Sequence, residues 1–286
     1  MTPELRDRLG PFRDTAIARG IPAEDVERWL DTARPCATLS KDGDGPVVGR
    51  FGGPLLLPAD VPDPYFPFVA SIDLAALPAD ATDLPLPTDG HLLLFAFPEG
   101  DGSLENMGEV VYVPAGTAVT ERDKDSGDLF EVDEFRELIE KFPQEELRAS
   151  TDVSLPYHCA VEIPESPYSR PLPGHPRSED LVRVWDDTLD DIAGDGPLQL
   201  GGYSSEEAVY LDPVTTVVQC AVHTAQEGRW PGGGTVSADV ADWVLLADWN
   251  PGIDGIEGAT VHWAIQREDL AAQRFDRTCA TVFWNP

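Results

Sequence analysis

Lysine is scarce: only Lys41, Lys124 and Lys141 occur in 286 residues. Lysine and arginine together number 20 against 52 aspartates and glutamates, a formal net charge of −32. Phosphate binding needs clustered basic side chains, so nucleic acid and anionic membrane surfaces are excluded as partners. Cysteine is sparse as well. Cys36, Cys159, Cys220 and Cys279 lie far apart with no Cys-x-x-Cys pair, which excludes a zinc knuckle and a thioredoxin-like motif. In a reducing compartment these are expected as buried thiols, because free cysteine packs as a small hydrophobe. Long apolar runs are missing too: "HLLLFAF" (91–97) is far too short to cross a bilayer. The opening "MTPELRDRLGPF" lacks the apolar stretch of a signal peptide, and the expected location is cytoplasmic.

Catalytic signatures are also absent. "GGYSSE" (201–206) lacks the closing glycine of a nucleophile elbow, and "RWPGGGT" (229–235) has no Gly-Lys-Ser/Thr to make a phosphate loop. The histidines His91, His158, His175, His223 and His262 show no metal-ligand spacing. His91 and His262 fall in or beside strand-like runs and read as packed, hydrogen-bonded residues. His158 and Cys159 would face opposite sides of a strand. "DKDSGDLFEVDE" (123–134) puts acids at the first, third and twelfth places of a calcium loop, but Asp128 stands where that loop needs glycine. A solvated acidic loop is expected there. No catalytic residue is assigned, no cofactor is expected, and the reading leans away from an enzyme.

What is present is enough apolar residue, 42%, for a substantial core. Residues 1–45 read as an N-terminal helical segment: two short helices, with Pro22 suited to a first turn, then a turn at "KDGDGP". From Val47 onward come short β-like runs separated by Pro, Gly and Asp: "VVGRFGGPLLLP", "FPFVASIDL", "GHLLLFAFP", "EVVYVPAG" and later "SLPYHCAVEI". "EVDEFRELIEKF" has Phe135, Leu138, Ile139 and Phe142 on one helical face. "SEDLVRVWDDTLDDI" reads as a helix capped by Ser178. "LDPVTTVVQCAVHTAQEG" offers Asp212 as cap, Pro213 at the first position and Gly228 as stop.

Elements near the end echo those near the start. "RFGGPLLLP" (50–58) has a counterpart in "QLGGYSSEE" (199–207). "FVASIDL" (68–74) matches "WVLLADW" (243–249), which aligns Asp73 with Asp248. "GHLLLFAFPEGD" matches "GATVHWAIQRED", and "VVYV" matches "TVFW". The expected fold is α+β: mainly antiparallel β with an internal duplication of strand units, flanking helices and the N-terminal helical segment. The domain over 46–286 then consists of two half-repeats, about 47–115 and 198–286, joined by a helical and Pro-rich middle.

These elements, "FGGPLLLP", "FVASIDLAALP", "GHLLLFAF", "LGGY", "WVLLADW" and "EGATVHWAIQREDL", resemble the YwqG-like family, a bacterial domain-of-unknown-function family. The resemblance covers roughly 47–286 and implies a similar fold without implying an activity. Members carry Asp-x-Asp after the late strand and Trp-Gly-Asp before its final glycine. Here these become Asp248-Trp249-Asn250 and Ile253-Asp254-Gly255.

The acidic turn after that strand remains the best candidate site. Asp248, Asn250, Asp254 and Glu257 are oxygen ligands of the kind hard cations take, yet the same residue types build any tight turn. They stand as weak metal candidates, with turn chemistry favoured. Asp73, Asp248, Asp254 and Glu257 are the partner-binding candidates. The favoured function is a non-enzymatic binding protein, of immunity or inhibitor type, for a basic protein partner. The alternatives are a carboxylate- or metal-dependent enzyme, or a small-ligand sensor with a pocket between the half-repeats.

Overall fold

A computed structural model describes residues 1–99, 105–125, 128–158, 160–162, 169–204 and 212–284. The chain begins with α1 (Pro3–Asp7), α2 (Gly10–Ala18) and α3 (Ala23–Leu30), then β1 (Arg34–Ser40), β2 (Val47–Phe51), β3 (Leu55–Pro58), β4 (Phe68–Asp73), β5 (His91–Ala96), β6 (Gly108–Val113) and β7 (Val119–Arg122). Next come α4 (Asp133–Ile139), β8 (Glu146–Ser154), β9 (Ala160–Glu162), β10 (Ser169–Pro171), α5 (Ser178–Ile192) and β11 (Leu198–Gly201). It ends with α6 (Pro213–Gln226), β12 (Trp243–Trp249), β13 (Ala259–Gln266), α7 (Arg267–Ala271) and β14 (Cys279–Trp284).

Ten strands form one antiparallel sheet in the order β14-β13-β12-β11-β1-β8-β2-β4-β5-β6. The sheet curls until its ends meet, giving a nearly closed barrel. Met107 N–H, just before β6, donates to the carbonyl of Ala280 on β14 at 2.9 Å, and Ala280 N–H donates to Asn106 Oδ1 at 2.8 Å. Period-2 alternation explains the core. Ala37, Leu39, Leu92, Leu94, Leu147, Ala149, Leu198, Leu200, Trp249, Val261, Trp263 and Ala280 come from strands all round the sheet and pack into one cluster on its inner face.

Three apolar covers lie elsewhere. Leu9, α2, α3 and α5 pack with Val153 and Leu155 at the end of β8. α6 packs on Trp243, Leu245, Ala264 and Cys279. The separate β3·β7 pair packs on Phe68, Leu93, Phe95 and Val113. Among the described residues no helix is long and apolar enough to cross a membrane.

The structure departs from the sequence reading in several elements. Residues before 47 contain a strand, β1, which lies between β11 and β8 in the middle of the sheet. β8 was not expected either. α5 starts at Ser178, but its N-cap is Arg177 and makes no side-chain capping bond; Ser178 is the first helical residue. α6 follows its signals: Asp212 accepts from Val214 N–H at 3.0 Å, Pro213 opens the helix, and Gly228 takes φ 72° just after it.

Candidate functional site

Antiparallel partners share a face of the sheet, so the registers can be followed from strand to strand. Ser150 of β8 stands opposite Thr38 of β1, Thr38 opposite Gln199 of β11, and Gln199 opposite Asp248 of β12. Asp248 in turn faces His262 of β13, and His262 faces Thr281 of β14. Six strands thus carry one continuous polar row on the outer face. Thr38, Asp248, His262 and Thr281 are buried.

A buried polar group needs a partner, and at the centre of the row three side chains meet. His262 Nδ1 lies 2.7 Å from Asp248 Oδ1. Ser204 Oγ donates to Asp248 Oδ2 at 2.8 Å and sits 3.2 Å from the same Nδ1. The LGGY turn delivers Ser204. Gly201 and Gly202 take φ 68° and 71°, and a Cβ on Gly202 would meet Ser154 Oγ at 2.4 Å and Cys36 Cβ at 2.8 Å. Gln199 Nε2 holds the turn by donating to the carbonyls of Gly201 and Tyr203 at 2.9 and 2.8 Å.

Serine, histidine and aspartate meet here, but not as a nucleophile relay. That relay needs the hydroxyl on one ring nitrogen and the carboxylate on the other. In this protein both face Nδ1, and the hydroxyl proton goes to the carboxylate. The trio is a positioning network that fixes Asp248.

Beside the row opens a cleft of about 420 Å³ between the sheet and α5. Its walls include Asp190, Asp195, Gln199, Tyr203, Asp248 and Asn250, and among the described residues no lysine, arginine or histidine lines it. The carbonyl end of α5 points at it through Ala193 and Gly194, adding partial negative charge. One last-turn carbonyl, that of Ile192, is taken by Arg8 Nη2 at 2.5 Å. A cation or a hydroxyl-rich group fits this lining; an anion does not.

The sequence candidates separate. Asp248 and Asn250 line the cleft, while Asp254 and Glu257 are exposed in the β12–β13 turn. Much of that turn chemistry is internal. Asn250 Oδ1 accepts Gly252 N–H at 3.2 Å. Glu257 is held below the usual carboxylate range, first by the backbone N–H of Gly255. Ile253 and Ile256 pin the turn to the core. Among the described residues no three His, Cys, Asp or Glu side chains converge to hold a metal ion. Asp73, on β4, accepts from Ala75 N–H at 3.0 Å. Four strands separate it from Asp248, so it does not join the cleft.

Sequence reasoning missed Ser204, Gln199, Asp190 and Asp195. Straight extension of the register from Trp243 and Gln266 would place Val261 opposite Asp248; the bulge between Leu245 and Ala247 brings His262 there instead. Nothing local marks Asp190 and Asp195, because the packing of α5 and of the turn after it brings them to the cleft. Of the four cysteines, Cys36, Cys220 and Cys279 are buried free thiols, and Cys159 lies outside the described residues.

Residues 49–283 match the model of a family described as a domain of unknown function (DUF1963). No curated protein matches the chain.

Proposed function

Because the chain belongs to the DUF1963 family of domains of unknown function, whose description names no activity, we propose its role from the site: a non-enzymatic binding protein that takes a positively charged surface of a basic protein partner into the cleft beside α5. One observation carries this reading. Among the described residues every charged side chain in the cleft lining is a carboxylate, and the helix end facing it has the same sign. Asp186, Asp190 and Asp191 extend that field along the exposed side of α5, where Asp187 is paired with Arg19, and the net charge of −32 reinforces it at longer range.

Calorimetric titration with an arginine-rich peptide tests the reading, with a glutamate-rich peptide of equal length as control. The expected result is binding of the basic peptide alone, weakened about 3- to 10-fold in Asp190→Asn/Asp195→Asn and weakened again as salt rises. Equal binding of the acidic peptide, or affinity indifferent to salt, would refute it.

A second reading, a small-ligand sensor, is favoured by the cavity volume, which falls in the usual range for small-molecule sites. It predicts that a small polyamine raises the melting temperature while the peptide does not. Three finer readings accompany the proposal. The half-repeats of about 47–115 and 198–286 are copies of one unit, supported by the pairs Gly52-Gly53 and Gly201-Gly202, all with positive φ. The family is the bacterial YwqG-like group. The working location is cytoplasmic.

A further inference from the structure

Cys220 lies on α6 and Cys279 opens β14, and 59 residues separate them in the chain. Their sulfurs stand 3.3 Å apart, buried beneath α6 in the cluster that also holds Val217, Trp243 and Ala264. Cys36 is different. It has no thiol neighbour of this kind among the described residues, and burial together with Asp152 pushes its thiol up to about 12, so it stays protonated and inert.

Packing alone does not require two thiols in contact, since an alanine or valine would fill either place. The contact also polarises the pair. Cys279 S–H donates to Cys220 Sγ, which lowers the Cys220 thiol and raises that of Cys279. A nucleophile with a resolving partner is the arrangement that reversible oxidation uses.

We infer that Cys220 and Cys279 form a reversible dithiol–disulfide couple, oxidised by a hydroperoxide and reset by a small thiol, that staples α6 to the last strand of the barrel. The Cys220 thiolate attacks the terminal oxygen of the hydroperoxide. An S–O bond forms, the O–O bond breaks, and the alcohol or water departs. The Cys279 sulfur then attacks the sulfenic sulfur. The S–S bond forms, the S–O bond breaks, and hydroxide leaves with the thiol proton as water. Two electrons pass from the two thiols to the peroxide. The sulfurs must approach by roughly 1.2 Å to reach bonding distance, a movement shared by two side chains. Access requires local opening of α6, which sets the rate. The helix ends at Gln226, and Gly228, Gly232, Gly233 and Gly234, all at positive φ, follow it.

The test uses the native full-length chain. It is incubated with hydrogen peroxide over hours, quenched by alkylation, and digested without reduction. The expected product is one cross-link between the peptides carrying Cys220 and Cys279, lighter by two hydrogens. Cys36 should be alkylated once the chain is denatured. The oxidised form should melt about 5–10 °C higher, as expected for a cross-link closing a loop of this size, and dithiothreitol should reverse the shift. Two intact thiols at peroxide levels that oxidise the denatured chain would overturn the inference. So would sulfinic acid at either position without the cross-link.

Discussion

Replacing Arg8 with methionine should cost the fold about 2–4 kcal/mol. Arg8 sits between α1 and α2, and its guanidinium reaches three acceptors: the Thr151 carbonyl at 2.9 Å, Asp152 Oδ1 at 2.5 Å and the Ile192 carbonyl at 2.5 Å. Asp152 is 1% exposed, and its other oxygen has no hydrogen-bond partner among the described residues. Removing the arginine therefore leaves a buried carboxylate without its cation and the last turn of α5 without one cap. A fully buried pair broken this way costs about 3–5 kcal/mol. The Arg8 side chain is 38% exposed, so water can replace part of what it gave, which lowers the figure. Methionine keeps the apolar stem, so lost packing contributes little. Urea unfolding should show a lower midpoint with an unchanged slope. The companion variant Asp152→Asn removes the charge that needs compensation. Arg8→Met/Asp152→Asn should accordingly lose about 1–3 kcal/mol less than the sum of the single variants. A loss below about 1 kcal/mol for Arg8→Met, or strict additivity in the double variant, would refute the claim that this ion pair ties the N-terminal helices to the sheet.

Two further outcomes follow from the geometry. Burial raises the carboxyl of Glu109, although it accepts the N–H groups of Tyr65 and Phe66. A raised native value means that the native state holds the proton more tightly than the unfolded chain, so this group's contribution is full at low pH and is lost as pH rises through its native value. Glu109→Gln should therefore equal or exceed wild-type stability at pH 7, with the difference vanishing below about pH 4 in melts across a pH series. Millimolar Ca²⁺ should move the melting temperature by less than about 1 °C, because Asp248 is committed to Ser204 and His262, Asn250 to Gly252 and Glu257 to Gly255. A shift of several degrees, abolished by Asp248→Asn, would show that the turn is a cation site after all.

Much of the outer sheet was legible because its strands are strongly apolar and bounded by Gly, Pro or Asp. β4 with β5, and β12 with β13, pair as their periodicity suggested. The two central strands were not legible, for one shared reason. β1 ("RPCATLS") and β8 ("ELRASTDVS") turn Thr38, Ser150, Asp152 and Ser154 to the outer face, and two of their inward residues are small, Ala37 and Ala149. In β1 the inward set is only Pro35, Ala37 and Leu39, and in β8 the alternation of Leu147, Ala149, Thr151 and Val153 with Arg148, Ser150, Asp152 and Ser154 is carried partly by alanine and threonine, so the apolar signal is weak. The candidate site was half legible for a related reason. Asp248 stands out at the end of an apolar strand, but Ser204 lies 44 residues away and Asp190 reaches the cleft only through the packing of α5. The acidic turn that drew attention in the sequence is chiefly a turn. Its first carboxylate belongs to the sheet's polar row, and the others are spread between backbone contacts and solvent.

The junction of Asn106 and Met107 with Ala280 has a consequence for how the chain is made. The seam joins residues more than half the molecule apart, and β6 has no other neighbour on that side within the ten-stranded sheet. During synthesis from the N-terminus, β6 emerges well before β14 exists. At ordinary elongation rates the interval is roughly 10–30 s. Through that time a row of unpaired backbone groups is open to any passing strand, and β14 acts as the bolt that ends the exposure. Chains released before Ala280 carry that open edge permanently.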